Sequence, residues 1–395
     1  PDRPRRYDRC AVPQDAVTGD AYPAARIAAP LMHAYFAKHI EGLEPAPGDV
    51  LAPVPDTVVI EEIVNVTFWA SLRREEGYFP TISVAYLSPD QAVHAMRFER
   101  PLPFTPGGLA KLAPIVERPG IHFGVWHGPD GLQVWGTTLS VPQYCFVLEN
   151  VEPGLLVVKH HRGEGAGKYV NVAVLAGDQV KLVDESASDL PDCPALLTSL
   201  LGLVAPSSWS GSINVLVQLA VSMRAHRRGG SLLIVPAASD GWRESVVTPM
   251  AYAVSPAYRS LSTLVEVGLH EEHTPAWQAS LRASVDAIAG LTAVDGATVI
   301  TDSYELLAFG AKIVRRRGSP PIEQVTLTEP IAGRPPQVLT TSQLGGTRHM
   351  SAAQFVHDQR SAIALVASQD GRFTVFVWSK TTARLYAYRV EALLL

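Results

Sequence analysis

Gly345-Gly346-Thr347-Arg348-His349-Met350-Ser351 gathers two glycines, two hydroxyls, a guanidinium and an imidazole in one short stretch. Ala352-Ala353-Gln354-Phe355-Val356-His357 follows with apolar residues at helical spacing, so the stretch predicts the start of a helix. A helix start presents unpaired backbone N–H groups and the positive pole of the helix dipole, and glycines beside it let a ligand approach the main chain. An anion fits such a place. The donors of Gly346, Thr347, Arg348, His349 and Ser351 together suit a polyphosphate better than a single carboxylate. The same residues would also serve an ordinary glycine turn, with Thr347 as N-cap and Arg348 in solvent.

A second stretch upstream supplies an acid. Val294-Asp295-Gly296-Ala297-Thr298-Val299-Ile300-Thr301 sets one carboxylate and a glycine at the mouth of a β-branched run. Residues 304–311 read as a second strand, giving a hairpin around Asp302-Ser303. By itself Asp-Gly is a common turn dipeptide. Other constellations carry less. The loop at 163–168 fails the Walker pattern, because Arg162 stands where its first glycine belongs and Tyr169 follows the lysine; a hairpin loop is the better reading. His270-Glu271-Glu272-His273 is not His-Glu-x-x-His and reads as a solvated loop, and His160 and His161 would point to opposite faces of a strand. Arg315-Arg316-Arg317 reads as a solvated turn, with pyrophosphate contact from an inserted loop as its functional alternative.

These residues need elements to hold them. Beyond residue 195, residues 195–204 and 212–228 read as helices, 232–235 as a strand, and 258–267 and 275–289 as helices, the last capped by Thr274. The strand that follows carries Asp295. Upstream, 28–40 is an amphipathic helix, while 57–60, 79–86 and 92–98 read as strands and 61–72 fits either type. A short helix at 106–115 opens on Thr105. Six short strands then follow at 122–125, 132–138, 143–148, 154–161, 169–175 and 179–183, with no fixed period. The fold class is α/β (α+β): a β-rich domain over 1–194, and a mixed sheet flanked by helices over 195–395.

Composition bounds the function. The 395 residues are 47% hydrophobic and 18% charged, ordinary for globular cores and long enough for two or three domains. A net charge of −5 argues against a dedicated nucleic-acid binder, which needs a basic face. Cys10, Cys145 and Cys193 are far apart, so neither a disulfide framework nor a zinc site is expected, and a reducing cytoplasm fits. The longest apolar region, 195–221, is broken by Pro206, Ser207, Ser208, Ser210 and Gly211, so no membrane span is read. Residues 1–6 are basic with no apolar run behind them, unlike a secretory signal, and the missing initiator Met is read as trimming.

Taken in order, Asp295-Gly296-Ala297 and Gly346-Thr347-Arg348-His349 resemble the paired motifs of the diadenylate cyclase (DAC) domain, which makes cyclic di-AMP from ATP. Residues 227–235 are similar to that family's first core strand after a helix, and 362–375 to its closing β-turn-β. The resemblance covers 205–395. It implies that Asp295 is catalytic and binds Mg²⁺ or Mn²⁺, and that Gly296, Ala297, Gly346, Thr347, Arg348, His349 and Ser351 bind ATP. Adenine would sit around Phe309 and Gly310. The resemblance further implies facing DAC domains in a homodimer or larger assembly, and an N-terminal DACNV-like sensor domain for an unknown ligand. Three positions depart from the family. Met350 replaces a second Arg, and Ser368 and Gln369 stand where its closing turn carries glutamates. These departures leave open a nucleotide-binding sensor that signals without cyclising.

Overall fold

The computed structural model describes residues 21–41, 51–92, 94–161, 169–190, 192–201, 215–268 and 274–395. The loop at 163–168, the His270–His273 cluster, Cys10 and the serine-rich 206–211 lie outside the described residues.

Two helices open the described chain, α1 (Pro23–Glu41) and α2 (Thr57–Ser71). Residues 57–60, expected as a strand, are the first turn of α2. Asp56 is its N-cap, accepting the Val59 N–H at 2.8 Å, and Val59, Ile60, Ile63, Val64 and Ala70 are buried at helical spacing. A cap combined with a 3.6-residue period outweighs the strand preference of a β-branched run.

The first sheet follows. Its strands are β1 (Ser83–Tyr86), β2 (Ala95–Pro103), β3 (His122–Gly128), β4 (Gly131–Thr138), β5 (Val147–Glu152), β6 (Leu155–His161), β7 (Tyr169–Ala176) and β8 (Gln179–Leu182). Between β2 and β3 lies α3 (Pro106–Leu112), where Thr105 accepts the Gly108 N–H at 3.2 Å. The strand expected at 143–148 begins later, at Val147. The order is β2-β4-β3-β1-β5-β6-β7-β8, with β1 and β3 parallel. Met32, Phe36, Ile60, Ile63, Phe123 and Phe146 join helices and sheet in one core.

The second sheet is built after α4 (Ala195–Leu200) and α5 (Val215–Ala225). Its elements are β9 (Gly230–Val235), β10 (Tyr252–Tyr258), α6 (Ser260–Gly268), α7 (Pro275–Leu291), β11 (Ala297–Thr301), β12 (Leu306–Ala311), β13 (Gln324–Thr328) and β14 (Gln337–Thr340). Then come α8 (Thr341–Leu344), α9 (Thr347–Asp358), β15 (Ile363–Ala367), β16 (Phe373–Ser379) and β17 (Arg384–Arg389). The order is β10-β12-β11-β9-β15-β16-β17-β13-β14. The predicted hairpin around Asp302-Ser303 is present, with the Thr301 N–H on the Glu305 carbonyl at 2.9 Å. Sequence reading did not find β10, β13, β14, α8 or β17. β10 is an exposed edge strand containing Pro256, and Pro in a strand pattern argues against a central strand. The chain between Asp295 and Thr347 holds the β13–β14 hairpin.

The two sheets share a plan. Their first seven strands match position for position as β2-β4-β3-β1-β5-β6-β7 and β10-β12-β11-β9-β15-β16-β17. Both contain a central parallel pair, β1 with β3 and β9 with β11, and both follow two helices; the second sheet adds a parallel β13–β17 pair near its edge. The main difference is what joins β4 to β5 and, in the second sheet, β12 to β15. In the first sheet it is the short segment 139–146; in the second it is β13, β14, α8 and α9.

α9 covers one face of the second sheet. Ala352, Ala353, Phe355 and Val356 pack on Leu233, Val235, Val299 and Phe376. α5 and α7 cover the other face through Leu219, Met223, Leu281 and Ile288. No helix among the described residues is long and apolar enough to cross a membrane. Phe355 is fully buried at the α9–sheet contact, so Phe355→Ala should lower stability by about 3–5 kcal/mol. Urea unfolding measures this, and a loss under about 1 kcal/mol would mean that α9 is not anchored there.

Candidate functional site

The predicted helix start is the start of α9. Gly346 is its N-cap, no side chain caps it, and a Cβ added at Gly346 would meet nothing within 4 Å. The first turn is therefore open, with the positive pole of a 12-residue helix behind it. Thr347 is exposed and Ser351 half-buried.

Arg348 lies half-buried along the loop that leads into β9. A Cβ at Gly229 would come within 2.7 Å of its Nη1, and Gly229 has φ +70°, so a side chain there would strain the backbone and displace the guanidinium. Arg348 has no ion pair among the described residues. His349 turns inward, 6% exposed, against the backbone of Gly345 and 6.2 Å from the Phe376 ring centroid. Burial, then the nearby charges of Arg389 and Arg372, hold its imidazole below the ordinary range. It is a neutral ring that packs the helix start in place.

Asp295 sits just before β11 at the same end of the sheet. Its exposed carboxylate accepts from the Lys312 ammonium, and that bond, the lysine charge and then Arg348 hold it below the usual carboxylate range. Ala297 is buried opposite Ala311 of β12, and a Cβ at Gly296 would come within 2.4 Å of the Gly310 backbone. Sequence reading missed Lys312, although hairpin register places it beside Asp295 once β11 and β12 are paired. Gly229 gave no signal, because its role depends on a residue 119 positions away (348 − 229).

Two further loops complete this end. In the β15–β16 turn, Gln369 donates to the Arg228 carbonyl at 3.4 Å, placing the divergent Ser368-Gln369-Asp370 turn beside Gly229. On the strand side, Phe309 stacks with Tyr252, ring centroids 4.8 Å apart and ring planes nearly parallel. Among the described residues no three His, Cys, Asp or Glu side chains cluster as a metal cage. A lone carboxylate fits Mg²⁺ or Mn²⁺ when phosphate and water oxygens complete the shell, as is common for nucleotide-bound Mg²⁺. Arg316 and Arg317 are elsewhere: they line a cavity at the far end of α9, about 18 Å along the helix, and are not contacts of this site.

The first sheet carries a buried polar chain at its centre. Tyr169 OH is 2.6 Å from His122 Nε2, His122 Nδ1 is 2.7 Å from Ser83 Oγ, and Ser83 reaches Glu149 at 3.2 Å. Lys159 donates to the other Glu149 oxygen at 2.5 Å. With the proton on Nδ1, Tyr169 donates to His122, His122 to Ser83, and Ser83 to Glu149, so a neutral imidazole is fully satisfied. The first sheet also touches the site loop directly. Glu152, at the end of β5, pairs with Arg227, two residues before Gly229.

The family model described as "Probable sensor domain DACNV" matches residues 49–139. The match spans α2, β1, β2, α3, β3 and β4, and includes Ser83 and His122; the α9 site lies outside it. The chain matches none of the curated proteins compared with it.

His122 gives the matched region a pH signature. Burial lowers its pKa from 6.5 to about 4, so the folded state binds fewer protons than the unfolded state between those values. Stability should therefore be fully present above pH 6.5 and fall as the pH drops toward 4, by about 3 kcal/mol from this group. Urea midpoints across that range should slope less in His122→Gln than in the parent protein. Equal slopes would place the proton uptake elsewhere.

Proposed function

We propose that residues 195–395 bind ATP at the start of α9 and join two ATP molecules into cyclic di-AMP with release of pyrophosphate. Residues 1–194 act as the sensor unit that sets this output. The observation that carries the reading is the meeting of Asp295, Arg348 and the open α9 start at one end of the second sheet, from stretches far apart in the chain. The sensor role rests on the family match at 49–139.

Closing a 3′,5′ bond requires a ribose hydroxyl to lose its proton, the α-phosphate to lie in line, and the charge of the leaving pyrophosphate to be neutralised. Arg348 and the N–H groups after Gly346 grip phosphate oxygens, with Thr347 and Ser351 as hydroxyl donors and His349 orienting the turn. Asp295 would hold Mg²⁺ or Mn²⁺, which supplies charge neutralisation and a more acidic hydroxyl. Lys312 must then turn from Asp295 toward the triphosphate. The Phe309–Tyr252 stack offers an apolar surface for adenine. Two ATP molecules attack each other's α-phosphates, so two such sites face across a two-fold axis in a homodimer or larger assembly.

A second reading is favoured by one observation: Lys312 already occupies the Asp295 carboxylate. Together with Met350, Ser368 and Gln369, this suits a domain that binds a nucleotide and signals without cyclising it. In either case the Glu152–Arg227 pair supports coupling by position. As an exposed pair it contributes only about 0–1 kcal/mol to stability, but it ties the first sheet to the loop against which Arg348 rests.

Arg348→Ala should weaken ATP binding by about 1.5–3 kcal/mol in a calorimetric titration, and unchanged affinity would remove it from the site. Mass spectrometry after incubation with ATP or GTP and Mn²⁺ separates the two readings. The cyclase predicts cyclic di-AMP from the parent, none from Asp295→Asn, and specific activity that falls on dilution. ATP binding with no cyclic product would establish the second reading.

A further inference from the structure

At the far end of α9 lies a cavity of about 790 Å³, the size of a small-molecule site. It opens beside Val235 and Pro236, at the carboxyl end of β9. Its charges do not cancel. The Asp358 side chain is wholly buried and already accepts from the Arg316 N–H at 2.8 Å, the Ser319 hydroxyl at 2.5 Å and the Gln354 amide at 2.8 Å, with His357 Nδ1 3.3 Å away. Glu244 is taken by the Arg316 guanidinium at 2.6 Å, and Asp240 nearby by Arg243 at 3.0 Å.

Arg317 and Arg360 remain, both lining the cavity and neither in an ion pair among the described residues. Arg360 is held by its side chain and Arg317 by the backbone turn that carries it. Arg360 lies over the Trp378 ring, its Cζ 4.2 Å from the centroid, which fixes the plane of the guanidinium and leaves its N–H edge for hydrogen bonds. Arg317 sits in a turn closed by the Ser319 N–H on the Arg316 carbonyl at 3.0 Å, and that turn is pinned to Asp358 from both sides. The buried Asp358 carboxylate keeps its full negative charge, since these hydrogen-bond donors are neutral, and the C-terminal pole of α9 adds about half a negative charge; the two guanidinium charges outweigh both together. Planar guanidinium groups held around one cavity suit phosphate oxygens, which they can bind two at a time.

The geometry points to a second anion site, separate from the α9 start, that takes a phosphorylated small molecule of nucleotide size through Arg317 and Arg360. It stands independently of the ATP reading.

The test titrates inorganic pyrophosphate into Arg348→Ala protein, which lacks the guanidinium of the other site, and into a triple variant that adds Arg317→Ala and Arg360→Ala. Both added positions are exposed, and unfolding curves check that the variants keep the fold; Arg317→Ala alone, in the turn, gives a milder second comparison. The expected result is binding by Arg348→Ala and affinity at least about tenfold weaker in the triple variant. Equal affinities in the two proteins, or no binding by Arg348→Ala, would overturn the assignment. If Arg348→Ala binds as the parent does and the triple variant does not, the cavity site stands while the nucleotide site at the α9 start falls.

Discussion

β9 has no side in water. All six of its residues are buried, so the chain must supply a cover for each face of the second sheet. α5 and α7 provide one. α9 provides the other, and because Phe355 and Val356 must meet Leu233 and Val235, the helix lies along β9 with its start at the strand's amino end and its finish at the carboxyl end. Both features with chemical potential follow from that placement. The open start of α9 arrives where Gly229, Asp295 and Lys312 already are, and its last turn walls the cavity that holds Arg317 and Arg360.

The shared plan of the two sheets shows what the α9 segment adds. The first sheet has the same seven-strand order but crosses from β4 to β5 over the short segment 139–146. In place of a glycine-led helix start it has a chain of hydrogen bonds from Tyr169 through His122 and Ser83 to Glu149 and Lys159. A fully satisfied polar chain of this kind fixes one arrangement of side chains, since any break leaves a buried group without a partner. One architecture thus carries an open, uncapped helix start in one sheet and a closed polar interior in the other.

The copies meet through main-chain and polar contacts as well as apolar ones. Val183 pairs with Ile331, the Asn171 amide donates to the Ala392 carbonyl at 2.9 Å, and Val157 and Val174 pack with Ile331 and Ala392. These contacts bind the first sheet to the C-terminal end of the chain. The Glu152–Arg227 pair reaches the other way, to the loop under Arg348. A change of shape in the first sheet therefore has a short physical path to the α9 start, through a loop whose Gly229 leaves no spare room around the guanidinium.

Local chemistry settled much of this protein before any fold was known. The helix starting at Thr347, the Thr274 and Thr105 caps, the 302–303 hairpin and the α/β class are all written in neighbouring residues, because caps, turns and periodicity act over three or four positions. The α9 start and Asp295 were legible as candidates for the same reason. What only the tertiary structure decided lies between residues far apart. It turned His349 inward, set Lys312 on Asp295, laid Arg348 on Gly229 and carried Arg317 to the opposite end of α9. It also gave both halves of the chain one strand order. Strand order and side-chain neighbours depend on which faces must be buried against each other, and that long-range packing leaves no period or motif in a single sequence.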